Sequence, residues 1–169
     1  MAIEFLNSAI GASNSTTSFS ITLPATATQA GDIFILEFVH RGTGDGTIGG
    51  TTVTTGGLTW TLKHSQLFAT SAFSGKTYWT RATGDHQGQT VTGADLTNSC
   101  AAIVTMYRGA LTSGDPLTAA TIVGEQNASG NETQAQISTT VANAWVVLVV
   151  VNSPDVAVSP PKLVQPPVR

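Results

Sequence analysis

The sequence predicts an all-β protein, a two-sheet antiparallel β-sandwich of jelly-roll-like form followed by an extended proline-rich C-terminal arm. Thr-, Val- and Ile-rich runs recur between Gly-, Ser- and Asp-rich breaks, which is the rhythm of short antiparallel strands. Helical periodicity is nearly absent. Only 10% of the 169 residues are charged, about half the usual share, so Thr, Ser, Ala and Gly hold solvent positions that Lys and Glu fill elsewhere. A chain of this length can bury roughly 70% of its unfolded surface, and the expected organisation is one sandwich domain over residues 1–151 with an arm over 152–169.

The first strand is expected over Ala2 to Ser8. In Thr16 to Leu23 the apolar Phe19, Ile21 and Leu23 alternate with Ser18, Ser20 and Thr22, so the first set should face the core. Asp32 to His40 sets Phe34, Leu36 and Phe38 on one face and Ile33, Ile35 and Val39 on the other, interrupted by Glu37. A strand apolar on both faces is covered on both sides, so this one should be central. Gly42 to Gly57 carries seven glycines and reads as a long loop with at most a short strand at Thr51 to Thr55. Further strands are expected at Thr59 to Phe68, Gly75 to Ala82, Thr90 to Leu96, Cys100 to Arg108, Leu117 to Gln126, Gln134 to Thr139 and Ala144 to Val151. About ten strands in one domain favour two packed sheets. In the tail, prolines at 154, 160, 161, 166 and 167 cannot donate to a ladder and bias their neighbours towards extended backbone.

Composition then narrows the function. Seven basic against ten acidic residues give a net charge of −3, which offers no footprint for nucleic acid or an anionic membrane. The single Cys100 has no second cysteine for a disulfide or a CxxC pair, and its apolar setting predicts a small buried hydrophobe. Met1 to Phe5 lacks the basic start and apolar stretch of a signal peptide, and the apolar run Ala144 to Val151 is shorter than the ~20 residues of a spanning helix. His40, His64 and His86 do not stand at metal-ligand spacing, and Asp45 and Asp85 sit in Gly-flanked turns where their carboxylates cap local backbone. No nucleophile elbow, P-loop or dinucleotide fingerprint occurs. Paired carboxylates could come together only through the fold. Trp60, Trp79 and Trp145 lie in strand context and are expected in the core, with sugar stacking as the alternative use. The expectation is therefore no catalytic residue, no cofactor and no metal.

Four segments carry a family likeness: Gln29-Ala30-Gly31-Asp32-Ile33-Phe34-Ile35, Leu58-Thr59-Trp60-Thr61-Leu62, Tyr78-Trp79-Thr80-Arg81-Ala82-Thr83-Gly84, and Ala101 to Ala110 ending in Tyr107-Arg108-Gly109-Ala110. In this order they resemble a β-sandwich module of tailed-bacteriophage virion proteins, including tail, baseplate and head-decoration components. The likeness covers Ala2 to Val151 and departs at the proline-rich arm, where similar modules continue for several more strands. It implies a virion protein assembled in the host bacterial cytoplasm. The favoured role is a homotrimeric capsid decoration or cement protein bound to the major capsid protein or other virion proteins. A tail or baseplate component that binds carbohydrate for host recognition is the alternative, and a glycan-cleaving enzyme a third. The partner-contacting candidates are Pro160, Pro161, Leu163, Val164, Pro166, Pro167 and Val168 in the arm, with Ile3 and Phe5 at the amino end. Neither nucleic acid nor membrane is expected as a partner.

Overall fold

The computed structural model describes residues 3–13, 19–41, 53–54, 57–68, 73–93, 100–110, 112–117, 146–152 and 157–164. Ten strands and no helix occur among them. They are β1 (Glu4–Ser13), β2 (Phe19–Thr22), β3 (Ile33–Arg41), β4 (Val53–Thr54), β5 (Thr61–Phe68), β6 (Phe73–Arg81), β7 (Thr90–Gly93), β8 (Cys100–Arg108), β9 (Val146–Asn152) and β10 (Ala157–Val164).

A five-stranded antiparallel sheet has the order β1-β8-β3-β6-β5, and a three-stranded sheet the order β2-β7-β4. The pairings nest, β1 with β8, β2 with β7 and β3 with β6. Between β1 and β5, and again from β6 to β8, each connection therefore carries the chain from one sheet to the other. β9 and β10 pair with each other as a hairpin.

The core lies between the two sheets. From the large sheet, Phe34 and Leu36 of β3, Tyr78 of β6, and Ala102, Val104 and Met106 of β8 point inward. They meet Phe19, Ile21, Leu23 and Val91 from the small sheet's side. The period of two explains the division, since Ser20 and Thr22 point to solvent while Phe19 and Ile21 are buried. Each large side chain fully withdrawn from water contributes about 1.5–3 kcal/mol before ordering costs. Gly93 makes room for the Phe19 ring: it stands opposite Phe19 in the β2–β7 ladder, and a Cβ there would collide with that ring.

β3 is the middle strand of the large sheet, as its two apolar faces predict. Its second face, with Ile33 and Ile35, shares a smaller cluster with Tyr107, against which Ile3, Phe5, Ala110 and Leu117 pack. β8 has the expected bounds, and Cys100 to Tyr107 are buried without a break. β1 runs on past the expected end at Ser8 to Ser13, because it follows β8 in register to Ser13 opposite Cys100.

Residues 157–164, expected as part of the extended arm, are extended and hydrogen-bonded to β9. Pro160 and Pro161 fall where the register shifts between Ser159 and Lys162, a bulge being a place where two residues without N–H donors cost the ladder little. β10 lies against β8 and β1. The strand expected at Gln134 to Thr139 lies outside the described residues, as do Trp145 and all but Leu117 of the one at Leu117 to Gln126.

Candidate functional site

All four motif segments meet at one end of the large sheet, and three of them build a scaffold there. Gln29 to Asp32 is a tight turn: Gly31 has φ 98° and the Asp32 N–H donates to the Gln29 carbonyl at 3.1 Å, the geometry that asks for glycine at the third position. The Asp32 carboxylate, 1% exposed, accepts from the Gln29 N–H at 2.9 Å and from Arg108 Nε and Nη2 at 3.0 and 2.8 Å. This bidentate pair ties the start of β3 to the end of β8. The carboxylate is the buried half of the pair, while the guanidinium reaches solvent.

The turn after β6 is locked onto the same end. Thr28 N–H donates to Asp85 Oδ1 at 3.1 Å, the Thr28 hydroxyl donates to the Gly84 carbonyl at 3.1 Å, and His86 N–H donates to that hydroxyl at 2.8 Å. The backbone N–H of Thr28, and then that of Gln87, hold the Asp85 carboxyl below its ordinary range. His86 is buried, its ring edge-on to Phe34. Its Nε2 accepts from Thr83 N–H at 3.3 Å, so Nδ1 carries the proton and donates to Gln89 Oε1 at 2.9 Å. Asp85 thus caps a turn, as its Gly-flanked position predicts, and His86 serves as a wedge in the core.

Chemistry with more freedom lies on the second face of the large sheet. Glu37 interrupts the apolar pattern of β3 and accepts a hydrogen bond from the Thr77 hydroxyl at 2.7 Å. Burial pushes its carboxyl up to about 7, against the lowering pull of that hydroxyl. Tyr107, whose ring meets Phe5 edge-on, has a buried hydroxyl beside the Thr105 side chain that makes no well-formed hydrogen bond. Burial pushes its phenol above the ordinary value.

Beside these residues the chain after β8 folds back over the sheet. Arg81 Nη2 donates to the Gly114 carbonyl at 3.0 Å, and its Nη1 to the Gly31 carbonyl at 3.3 Å. Lys63 pairs with Asp115 at 2.7 Å, and Asp115 also accepts from the Leu117 N–H at 2.7 Å. Between this segment and the strands runs an open groove of about 560 Å³, lined by residues that include Thr59, Thr61, Trp79, Arg81, Thr83 and Gly114. Trp79 is partly buried, and its indole N–H is enclosed without a partner. Sequence reasoning placed Trp79 in the core and missed the groove. The signal available was its position in β6 opposite Thr61, a polar residue on an outer strand.

The partner-contacting candidates fall into two places. Ile3 and Phe5 pack together beside Ile33, Ile35 and Tyr107. Pro160, Pro161, Leu163 and Val164 lie on β10, which neighbours β1. Pro166, Pro167 and Val168 lie outside the described residues. No group of three His, Cys, Asp or Glu side chains that could hold a metal ion occurs among the described residues, and no helix among them is long and apolar enough to cross a membrane. His64 faces Thr77 across the β5–β6 ladder, far in sequence from His86.

No family model matches this sequence, and neither a curated protein nor a solved structure matches it.

Proposed function

We propose that this chain is a non-enzymatic virion structural protein of a tailed bacteriophage, a capsid decoration or cement protein that binds the outside of the head and stabilises it. One observation carries the reading. The nested pairing of β1 with β8, β2 with β7 and β3 with β6, divided between two facing sheets, follows the winding of a jelly roll, an architecture used by viral capsid and lectin domains.

The residues add support of their own. The resemblance-bearing side chains Asp32, Arg108 and Arg81 are spent on holding the fold, so the likeness is one of scaffold. With 10% charged residues, the surface opposes close protein neighbours weakly. β1 and β5 are the outer strands of the large sheet among the described residues, and they carry the exposed apolar side chains Ile10 (50%) and Leu62 (48%). β10 lies against β8 and touches β1, which places the two segments proposed to reach a neighbour near each other. A homotrimer repeated over a capsid turns a modest contact into firm attachment by avidity.

Mass spectrometry and reconstruction of purified particles encoding this chain test the reading. The chain should occur on the head in fixed ratio to the major capsid protein, and its absence from washed heads would overturn the cement role. A chain lacking residues 165–169 retains β10 and should lose occupancy. Full occupancy by that variant would remove the terminal prolines from the contact.

A further inference from the structure

We propose that the groove between β5, β6 and the segment 112–117 is a binding site for a neutral oligosaccharide. The inference stands apart from the cement role, since the groove lies by β5 and β6, across the large sheet from β1.

The lining selects the ligand class. Its side-chain polarity comes chiefly from threonine hydroxyls: Thr59, Thr61 and Thr83 are exposed there, and Thr83, whose hydroxyl lies 3.3 Å from His86 Nε2, is left to accept. The Thr80 hydroxyl is spent on the Thr59 carbonyl at 2.8 Å, which fixes the wall that carries Thr59. Gly57 and Gly114, with φ 77° and 71°, bring bare backbone to the rim. No carboxylate is among the described lining residues, and the nearby Asp115 is paired with Lys63. The one cation among the described lining residues, Arg81, holds the carbonyls of Gly31 and Gly114, so it braces the groove. A site for a phosphate or a basic peptide would instead place charge at its centre.

Trp79 supplies the apolar part. Its nitrogen is enclosed while the residue as a whole is only partly buried, so the exposed part of the indole is its carbon surface. Carbon surface ringed by neutral hydroxyls and backbone amides matches a pyranose, which has apolar C–H faces and an equatorial belt of hydroxyls. The volume of about 560 Å³ falls in the range of ligand sites and admits two or three sugar rings.

The test uses the full chain on an array of neutral and charged glycans and of peptides, followed by titration of neutral hexasaccharides monitored by tryptophan fluorescence and calorimetry. A neutral glycan should bind with a Kd of about 0.1–1 mM, a modest affinity for an open site. Trp79→Leu should weaken binding at least about tenfold. Thr59→Trp, which fills the groove from an exposed position and leaves the core untouched, should abolish it while circular dichroism and the thermal midpoint stay unchanged. Failure of every neutral glycan to bind at about 10 mM, a preference for peptides or charged glycans, or binding that survives Thr59→Trp would overturn the proposal.

Discussion

The two faces of the five-stranded sheet are built from the same strands and behave differently. On the first, Phe34, Leu36, Val104 and Met106 close against Phe19, Ile21 and Val91 of the small sheet with no ionisable carboxylate among them. On the second, Ile33 and Ile35 share their surface with Glu37, Thr77 and the unpartnered groups of Tyr107 and Trp79. Close packing makes the first face the source of stability, and burial there pulls the Lys76 ammonium down and the Tyr78 phenol up. The second face tolerates polar groups that are incompletely satisfied, and its Glu37 carboxyl is the group brought into the neutral range.

Phe34→Ala tests this contrast hardest. A fully buried aromatic at the centre of the first face should cost about 3–5 kcal/mol on removal, measured by denaturant unfolding; a loss below about 1 kcal/mol would mean that the two sheets are not locked together there. The second face should answer to pH instead. The Glu37 carboxyl is raised from 4.5 to about 7, so the folded state binds its proton more tightly than the unfolded chain does. The stability this provides is complete below about 4.5 and is lost as pH rises through about 7. Glu37→Gln should flatten that dependence and stabilise the protein at about pH 8 by on the order of 2 kcal/mol. Thermal midpoints of both proteins across that window decide the matter, and parallel curves would remove Glu37 from the account. Tyr107→Phe should have the smallest effect, within about 1 kcal/mol and towards a gain, since it deletes a buried hydroxyl whose contact with Thr105 falls short of a well-formed hydrogen bond. A loss of similar size would show that the hydroxyl has a partner in the folded protein.

Legibility in the sequence followed the distance over which each feature is determined. Phe19, Ile21 and Leu23 were assigned to the core by alternation, and all three are buried. The two faces of β3 were likewise readable, as was the capping use of Asp85, because a turn is fixed by its own few residues. The end of β1 was not, since Ala9 to Ser13 has a weak apolar pattern and owes its strand to pairing with β8. The salt bridge of Asp32 with Arg108 joins residues 76 apart, and neither residue signals the other. Trp79 looked like a core residue because alternation reports which face a side chain takes, and is silent on whether that face is covered all the way to its edge.

The sequence by itself determined that this is a β protein, which side chains share a face, where the turns fall, and that its surface carries little charge. These follow from the two-residue period of a strand and from composition, both local properties of the chain. The tertiary structure alone decided the nested order of the strands, the meeting of Gln29–Asp32 with Arg108 and the His86 turn, the burial that raises Glu37, and the groove beneath residues 112–117. Each of these depends on segments that are distant along the chain being brought within bonding distance, and no local pattern encodes which segments those are.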